Sequence, residues 1–276
     1  MGKLWPAFEV SVRDAADADL VLAAADDYSP TAVEEDEHGG ALRIFFSTAE
    51  SRDRAVVALC DRFTLTRIDV DDEDWARRGH GDLSPVVVGR VTVYPAHPAR
   101  PAFPAHRDPI DIVIPPSMGF GTGHHATTRL CLAALQSLDL RGKSVLDVGT
   151  GSGLLAIAAV KLGAAIAAGT DDDADAIQAA SENVALNGVT TVNLVVSDVM
   201  KEPLPTADVV VANLTGALIV RAASRLVAAM KPGGVLILSG VLASERDDVL
   251  RAFANQTVID LVQEDEWLGL TLESAR

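Results

Sequence analysis

Four features of the chain are of types and spacings that can do chemistry. The first is "VLDVGTGSGLLAIAA", in which Gly149, Gly151 and Gly153 lie between an apolar strand-like run and an apolar helix-like run. Glycines at such a junction let the backbone turn tightly and approach a ligand, and the helix beyond presents unpaired N–H groups. The second is Asp171 in "GTDDDADA", 20 residues after Gly151, at the predicted tip of the next strand. A carboxylate there suits the two hydroxyls of a ribose. The following residues Asp172 and Asp173 read as a helix N-cap run. The third is Asn213, which ends the apolar strand "DVVVANL", either as a cap for the next helix or as a polar group in a site. The fourth is the loop "FGTGHHATT", Phe120 to Thr128, with adjacent histidines and adjacent threonines.

Several chemistries are disfavoured by these same residues. A dinucleotide fingerprint wants a small residue at position 154, where Leu154 stands. A P-loop wants Gly-Lys-Ser/Thr, which does not follow the turn. Adjacent histidines do not readily share one metal ion, and no Cys or acid cluster has ligand spacing, so no metal is expected. The pattern D-x-G-x-G-x-G instead suits a smaller ligand carrying a carboxylate. Beyond the third strand, Ser197 and Asp198 in "VVSDV" fall where an adenine edge would lie.

The elements that must position these groups alternate. From Ile110 onward, apolar strand runs and amphipathic helices succeed one another, which implies a parallel sheet covered on both faces. The ending "TVIDLVQEDEWLGLTLES" instead reads as an antiparallel hairpin. Residues 1–72 read β-α-β-β-α-β, a small ferredoxin-like α+β domain. Residues 73–108 break this rhythm with "DEDWARRGHGDLSP" and a proline-rich stretch that holds two short strands, and are expected to be a linker. Residues 109–276 are then the second, larger domain.

The 276 residues suffice for two modest domains, and 49% hydrophobic with 22% charged residues is an ordinary globular balance. The formal charge of −16 disfavours nucleic acid as a partner and favours a basic one. No apolar run approaches a membrane span, and no secretory signal is evident, so a cytoplasmic location is expected. Cys60 and Cys131 are expected to be free, buried thiols.

Together these residues resemble the class I methyltransferases, which use S-adenosylmethionine. "FGTGHHATT" before the glycine turn and "VVANL" after it more specifically resemble the ribosomal protein L11 methyltransferases, the PrmA family. The resemblance extends over "DEDW" and the closing "DEWLGLTL", so over nearly the whole chain. The family usually has Gly-x-Ala-Phe before the loop, where this chain has Ser117 and Gly119. The resemblance implies a Rossmann-like, mostly parallel seven-stranded sheet. It implies S-adenosylmethionine contacts at Thr128, Gly149, Asp171 and Asn213 and from Phe120 and Gly121 of the loop, to which position in the predicted sheet adds Gly151 and Asp198. It implies that Phe120–His125 folds over the methionine end of the cofactor; the chemistry of amine methylation adds the expectation that Asn213 is catalytic, with His124 or His125 as candidate helpers. It implies trimethylation of lysine side chains and of the N-terminal amine of a basic ribosomal protein, recognised by the N-terminal domain; a monomer is expected. Two alternatives stay open at this point: a methyltransferase of the same fold acting on another protein or a small amine, and a non-catalytic cofactor-binding protein.

Overall fold

A computed structural model of the chain describes residues 4–13, 20–22, 24–25, 28, 30–35, 40–71, 84–95, 108–115 and 125–274. These fall into two compact units, residues 1–82 and 83–276.

In the first unit, strands β1 (Leu4–Ser11), β2 (Ala32–Glu35), β3 (Ala41–Phe45) and β4 (Leu65–Asp71) pair in the order β2-β3-β1-β4. Every pairing is antiparallel. Helix α1 (Ala49–Leu59) starts at Thr48, whose side chain accepts the Ser51 N–H, and it buries Ala55, Val56 and Leu59. The core joins these to Phe8, Val10, Ile44 and Phe46. The strand order is the one a split β-α-β unit produces. Most of the first helix of the β-α-β-β-α-β reading lies outside the described residues. Cys60, which follows α1, is free but exposed, contrary to the expectation of two buried thiols. It is the C-cap residue of α1, one position past Leu59, the last residue of the buried stripe.

The second unit begins earlier than the sequence suggests. Strands β5 (Val86–Val88), β6 (Val91–Tyr94) and β7 (Ile110–Val113) form a small sheet, β5 and β6 as a hairpin and β6 parallel to β7. Val91, Val93 and Ile112 are buried in the larger core. Residues 84–95 are therefore part of this unit rather than of a linker over 73–108. Three valines and a hydrophobic β6 outweigh the neighbouring prolines. Side-chain amides tie this sheet down: Gln136 accepts from Arg90 N and donates to Val88 O, while Asn187 accepts from Val113 N and donates to Val113 O.

The main sheet is built from β8 (Ser144–Val148), β9 (Ile166–Asp171), β10 (Val192–Val196), β11 (Ala207–Asn213), β12 (Met230–Leu242), β13 (Thr257–Glu264) and β14 (Trp267–Glu273). Their order is β10-β9-β8-β11-β12-β14-β13. The first five are parallel, and β14 runs antiparallel to both β12 and β13. The helices are α2 (Ala126–Ser137), α3 (Leu154–Lys161), α4 (Ala174–Leu186), α5 (Gly216–Ala229) and α6 (Arg246–Ala252). One core layer gathers residues of α2 and α3, and the other those of α5 and α6. This is why β8 and β11 are mostly apolar along their length: both faces are covered. At the amino edge, Asp208 accepts from Ser144 N and Lys231 Nζ, so one carboxylate pins the starts of β8, β11 and β12. Among the described residues no helix is long and apolar enough to cross a membrane.

Candidate functional site

The site lies at the carboxyl edge of the parallel strands, where open α/β sheets bind ligands. The glycine turn leaves β8 and enters α3. Gly149, Gly151 and Gly153 all have positive φ, at 72°, 51° and 78°. A Cβ at Gly149 would also stand 2.3 Å from Leu214 Cδ2, so a side chain there would have to displace the end of Leu214 as well as adopt a strained conformation. Gly149 N and Thr150 N both donate to Thr170 O, at 2.8 and 2.9 Å, which lashes the turn to β9. Leu154 is buried in the core, at the position where a dinucleotide fold would use glycine for close packing.

Beneath the turn sits Asp147, fully buried. Its Oδ2 accepts from Thr150 Oγ1 at 2.7 Å and from Ala156 N at 3.2 Å, bridging the turn to α3. Among the described residues its Oδ1 has no hydrogen-bond partner. Burial raises its pKa to about 6, against the two hydrogen bonds, with the nearby Asp171 charge adding to the rise. Sequence inspection quotes this residue only as part of a motif. Its isolation is invisible in "VLDVG", where one acid in a strand has no spacing to mark it.

Asp171 ends β9 as expected. Its Oδ2 accepts from Gly151 N at 2.9 Å, and its Oδ1 from Asp173 N at 3.1 Å. Two carboxylate oxygens offer about four acceptor sites, so capacity for hydroxyl donors remains. Asp173 is the N-cap of α4, accepting from Asp175 N. Gly149, Asp171, Ser197, Asp198, Met200 and Leu214 all line one cleft of about 360 Å³. That volume is at the small end of the ~300–1,000 Å³ range of ligand clefts. Asp198 accepts from Met200 N at 2.7 Å and pairs with Lys201 at 2.8 Å, and these hold its carboxyl below the usual range. Lys201 and Leu214 also line the cleft and were not singled out from sequence.

Asn213 closes β11 between β8 and β12. Thr215, not Asn213, occupies the N-cap position of the helix that follows, and its side chain makes no capping hydrogen bond. The Asn213 Nδ2 instead faces Thr128 Oγ1 of α2 at 3.4 Å. Thr128 is 2% exposed. A Cβ at Gly149 would lie 4.0 Å from Asn213 O, so the glycine turn and the Thr128–Asn213 pair are neighbours. Thus Thr128, Gly149, Gly151, Asp171, Asp198 and Asn213 gather at one edge. Phe120, Gly121 and His124 lie outside the described residues. His125 is the N-cap of α2: its Nδ1 accepts from Thr127 N, and its ring meets Trp267 edge-on at 4.9 Å. Among the described residues no cluster of His, Cys, Asp or Glu is arranged to hold a metal ion. Cys131 is buried, and burial pushes its thiol pKa up.

Comparison with known proteins adds an independent line. Residues 8–275 match the family model described as "Ribosomal protein L11 methyltransferase (PrmA)". The ribosomal protein L11 methyltransferase of Aliivibrio salmonicida is 40% identical over 221 residues, 79% of this chain and 74% of that protein. That of Geobacter metallireducens is 43% identical over 210 residues, 74% of this chain and 68% of that protein. A crystal structure of ribosomal protein L11 methylase from Lactobacillus delbrueckii subsp. bulgaricus aligns with a TM-score of 0.63 at 27% identity, covering 70% of this chain and 99% of that chain.

Proposed function

Because the chain belongs to the ribosomal protein L11 methyltransferase family, we propose that it transfers methyl groups from S-adenosylmethionine to amines of ribosomal protein L11. The acceptors are lysine side chains and the N-terminal amine. The observation that carries this reading is the Thr128–Asn213 pair set against the glycine turn. It puts an uncharged amide, rather than a charged acid or base, where an amine must be oriented.

The residues suit the cofactor. The cleft has the volume of a small nucleoside pocket, a floor with no side chain at Gly149, and an acid at each of two strand ends, Asp171 and Asp198. Asp147 leaves one buried acceptor unclaimed beneath the turn. In this reading Asp171 takes the ribose hydroxyls, Asp198 and Ser197 lie at the adenine edge, and Gly149, Gly151 and Thr128 line the remainder. S-adenosylmethionine supplies an electrophilic methyl group on a sulfonium. The chain's own residues supply alignment. Thr128 engages the Asn213 Nδ2, which leaves the amide oxygen to accept from the incoming amine and point its lone pair. A lysine ammonium, with a reference pKa of ~10.4, must first lose a proton, and entry into a partly desolvated site lowers that value. The first unit, residues 1–82, is assigned the recognition of the protein substrate.

The test is mass spectrometry of purified L11 after incubation with enzyme and S-adenosylmethionine. Mass increments of whole methyl groups on lysines and the N-terminus are expected. Unmodified L11, with methylation appearing on another protein or a small amine, would overturn the substrate assignment.

A further inference from the structure

The terminal hairpin touches the helix that carries Thr128 at three successive places. Arg129 Nε donates to Glu264 Oε1 at 2.7 Å, and its Nη2 reaches the same oxygen. The His125 ring meets Trp267. Gly269 lies flush with Leu130, so close that a Cβ at Gly269 would stand 3.1 Å from Leu130 Cβ. These contacts bracket Thr128 in the sequence. Thr128 itself faces the other way, onto Asn213.

We propose that Glu264 is a positioning residue for methyl transfer: by holding Arg129 it sets the first turn of α2 and thereby the Thr128–Asn213 contact. The proposal rests on the methyltransferase reading given above. Its physical logic is asymmetric. The Arg129 and Glu264 side chains are 29% and 36% exposed, and a pair that accessible contributes little to stability. Alignment at a transfer site is far more sensitive, because a displacement of ~1 Å costs up to ~100-fold in rate. The pair therefore matters more for rate than for folding. Trp267 and Gly269 supply the apolar part of the same brace, and they confine the helix to one distance from β14.

The experiment compares the full-length wild type with Glu264→Gln, Arg129→Glu, Glu264→Arg and the Arg129→Glu/Glu264→Arg exchange. Methylation of L11 gives kcat and the KM for S-adenosylmethionine, and thermal melting gives stability. Glu264→Gln should lower kcat roughly tenfold, with KM and melting temperature little changed. The exchange variant should recover rate relative to both of its single variants. A wild-type kcat in Glu264→Gln, or a rate loss that only follows a loss of folded protein, refutes the positioning role. So does an exchange variant no better than its singles. If the wild type itself transfers no methyl group to L11, the functional reading fails first, and this proposal with it.

Discussion

Asp147 offers a quantitative test of how the glycine turn is built. Replacing it with asparagine keeps its shape and keeps an oxygen to accept from Thr150 Oγ1 and Ala156 N. It removes a group whose pKa rises from 3.8 to about 6 on burial. At ~1.36 kcal/mol per pH unit, that gap corresponds to roughly 3 kcal/mol. The sign follows from proton counting. Between the two values the folded wild type holds a proton that the unfolded chain has released, so its stability falls as pH rises. Below 3.8 the penalty is absent, and above about 6 it is complete. The substituted amide does not titrate. Its nitrogen, placed where Oδ1 has no partner, adds an unsatisfied-donor cost of ~1–3 kcal/mol that is the same at every pH. The stability of Asp147→Asn relative to wild type should therefore climb by roughly 3 kcal/mol between about pH 4 and pH 7, whatever its starting offset. Urea unfolding without cofactor, at a series of pH values, measures this directly. Two parallel stability curves would refute the reasoning, because they would mean that Asp147 ionises as freely in the fold as out of it.

Asp171→Ala should weaken S-adenosylmethionine binding about tenfold or more, since hydrogen bonds to a charged acceptor are worth ~1.5–3 kcal/mol. Calorimetry reads this, and an unchanged Kd removes Asp171 from the site. Asn213→Ala should lower kcat by roughly ten- to a thousandfold, at ~1.4 kcal/mol per decade, while cofactor affinity changes little. Single-turnover kinetics beside calorimetry separate the two, and a normal rate would defeat the catalytic assignment. Residues 83–276 alone should fold and bind cofactor but methylate L11 poorly, because the main sheet and both of its core layers lie in this unit. Circular dichroism, calorimetry and methylation assays test each part, and a fragment that methylates L11 at the full rate would contradict the recognition role of the first unit.

Much of the site was legible from spacing. The D-x-G-x-G-x-G run, the acid at the next strand tip and the Asn at the end of the fourth parallel strand are local signals, and the structure brings these positions to one edge. The parallel sheet and its antiparallel ending also follow from the alternation of apolar runs. Three features escaped for definite physical reasons. The two short strands of the hairpin β5–β6 are legible, but the prolines that follow them point to a linker and hide that they join the core of the second unit. The lone buried Asp147 has no periodicity to report that its neighbours exclude water. The Arg129–Glu264 pair joins residues 135 apart, and no local pattern encodes a partner at that distance.

The place of β14 bears on how the protein is made. It follows β12 and β13 in the chain, yet lies between them in the sheet. A nascent chain that has emerged only as far as Glu264 has β12 with an open flank, and β13 has no neighbour to pair with. Both are unpaired edges of the kind that recruit other chains. At that stage Trp267 and Gly269 are also missing from beneath α2. The parallel core can assemble during synthesis, while the flank opposite β10 and the seat of the Thr128 helix await the residues up to Glu273. A premature stop shortly before Trp267 would therefore leave more than a slightly shortened enzyme. The product would have an adhesive edge and an unsupported transfer site, and so would be a target for chaperones and proteases.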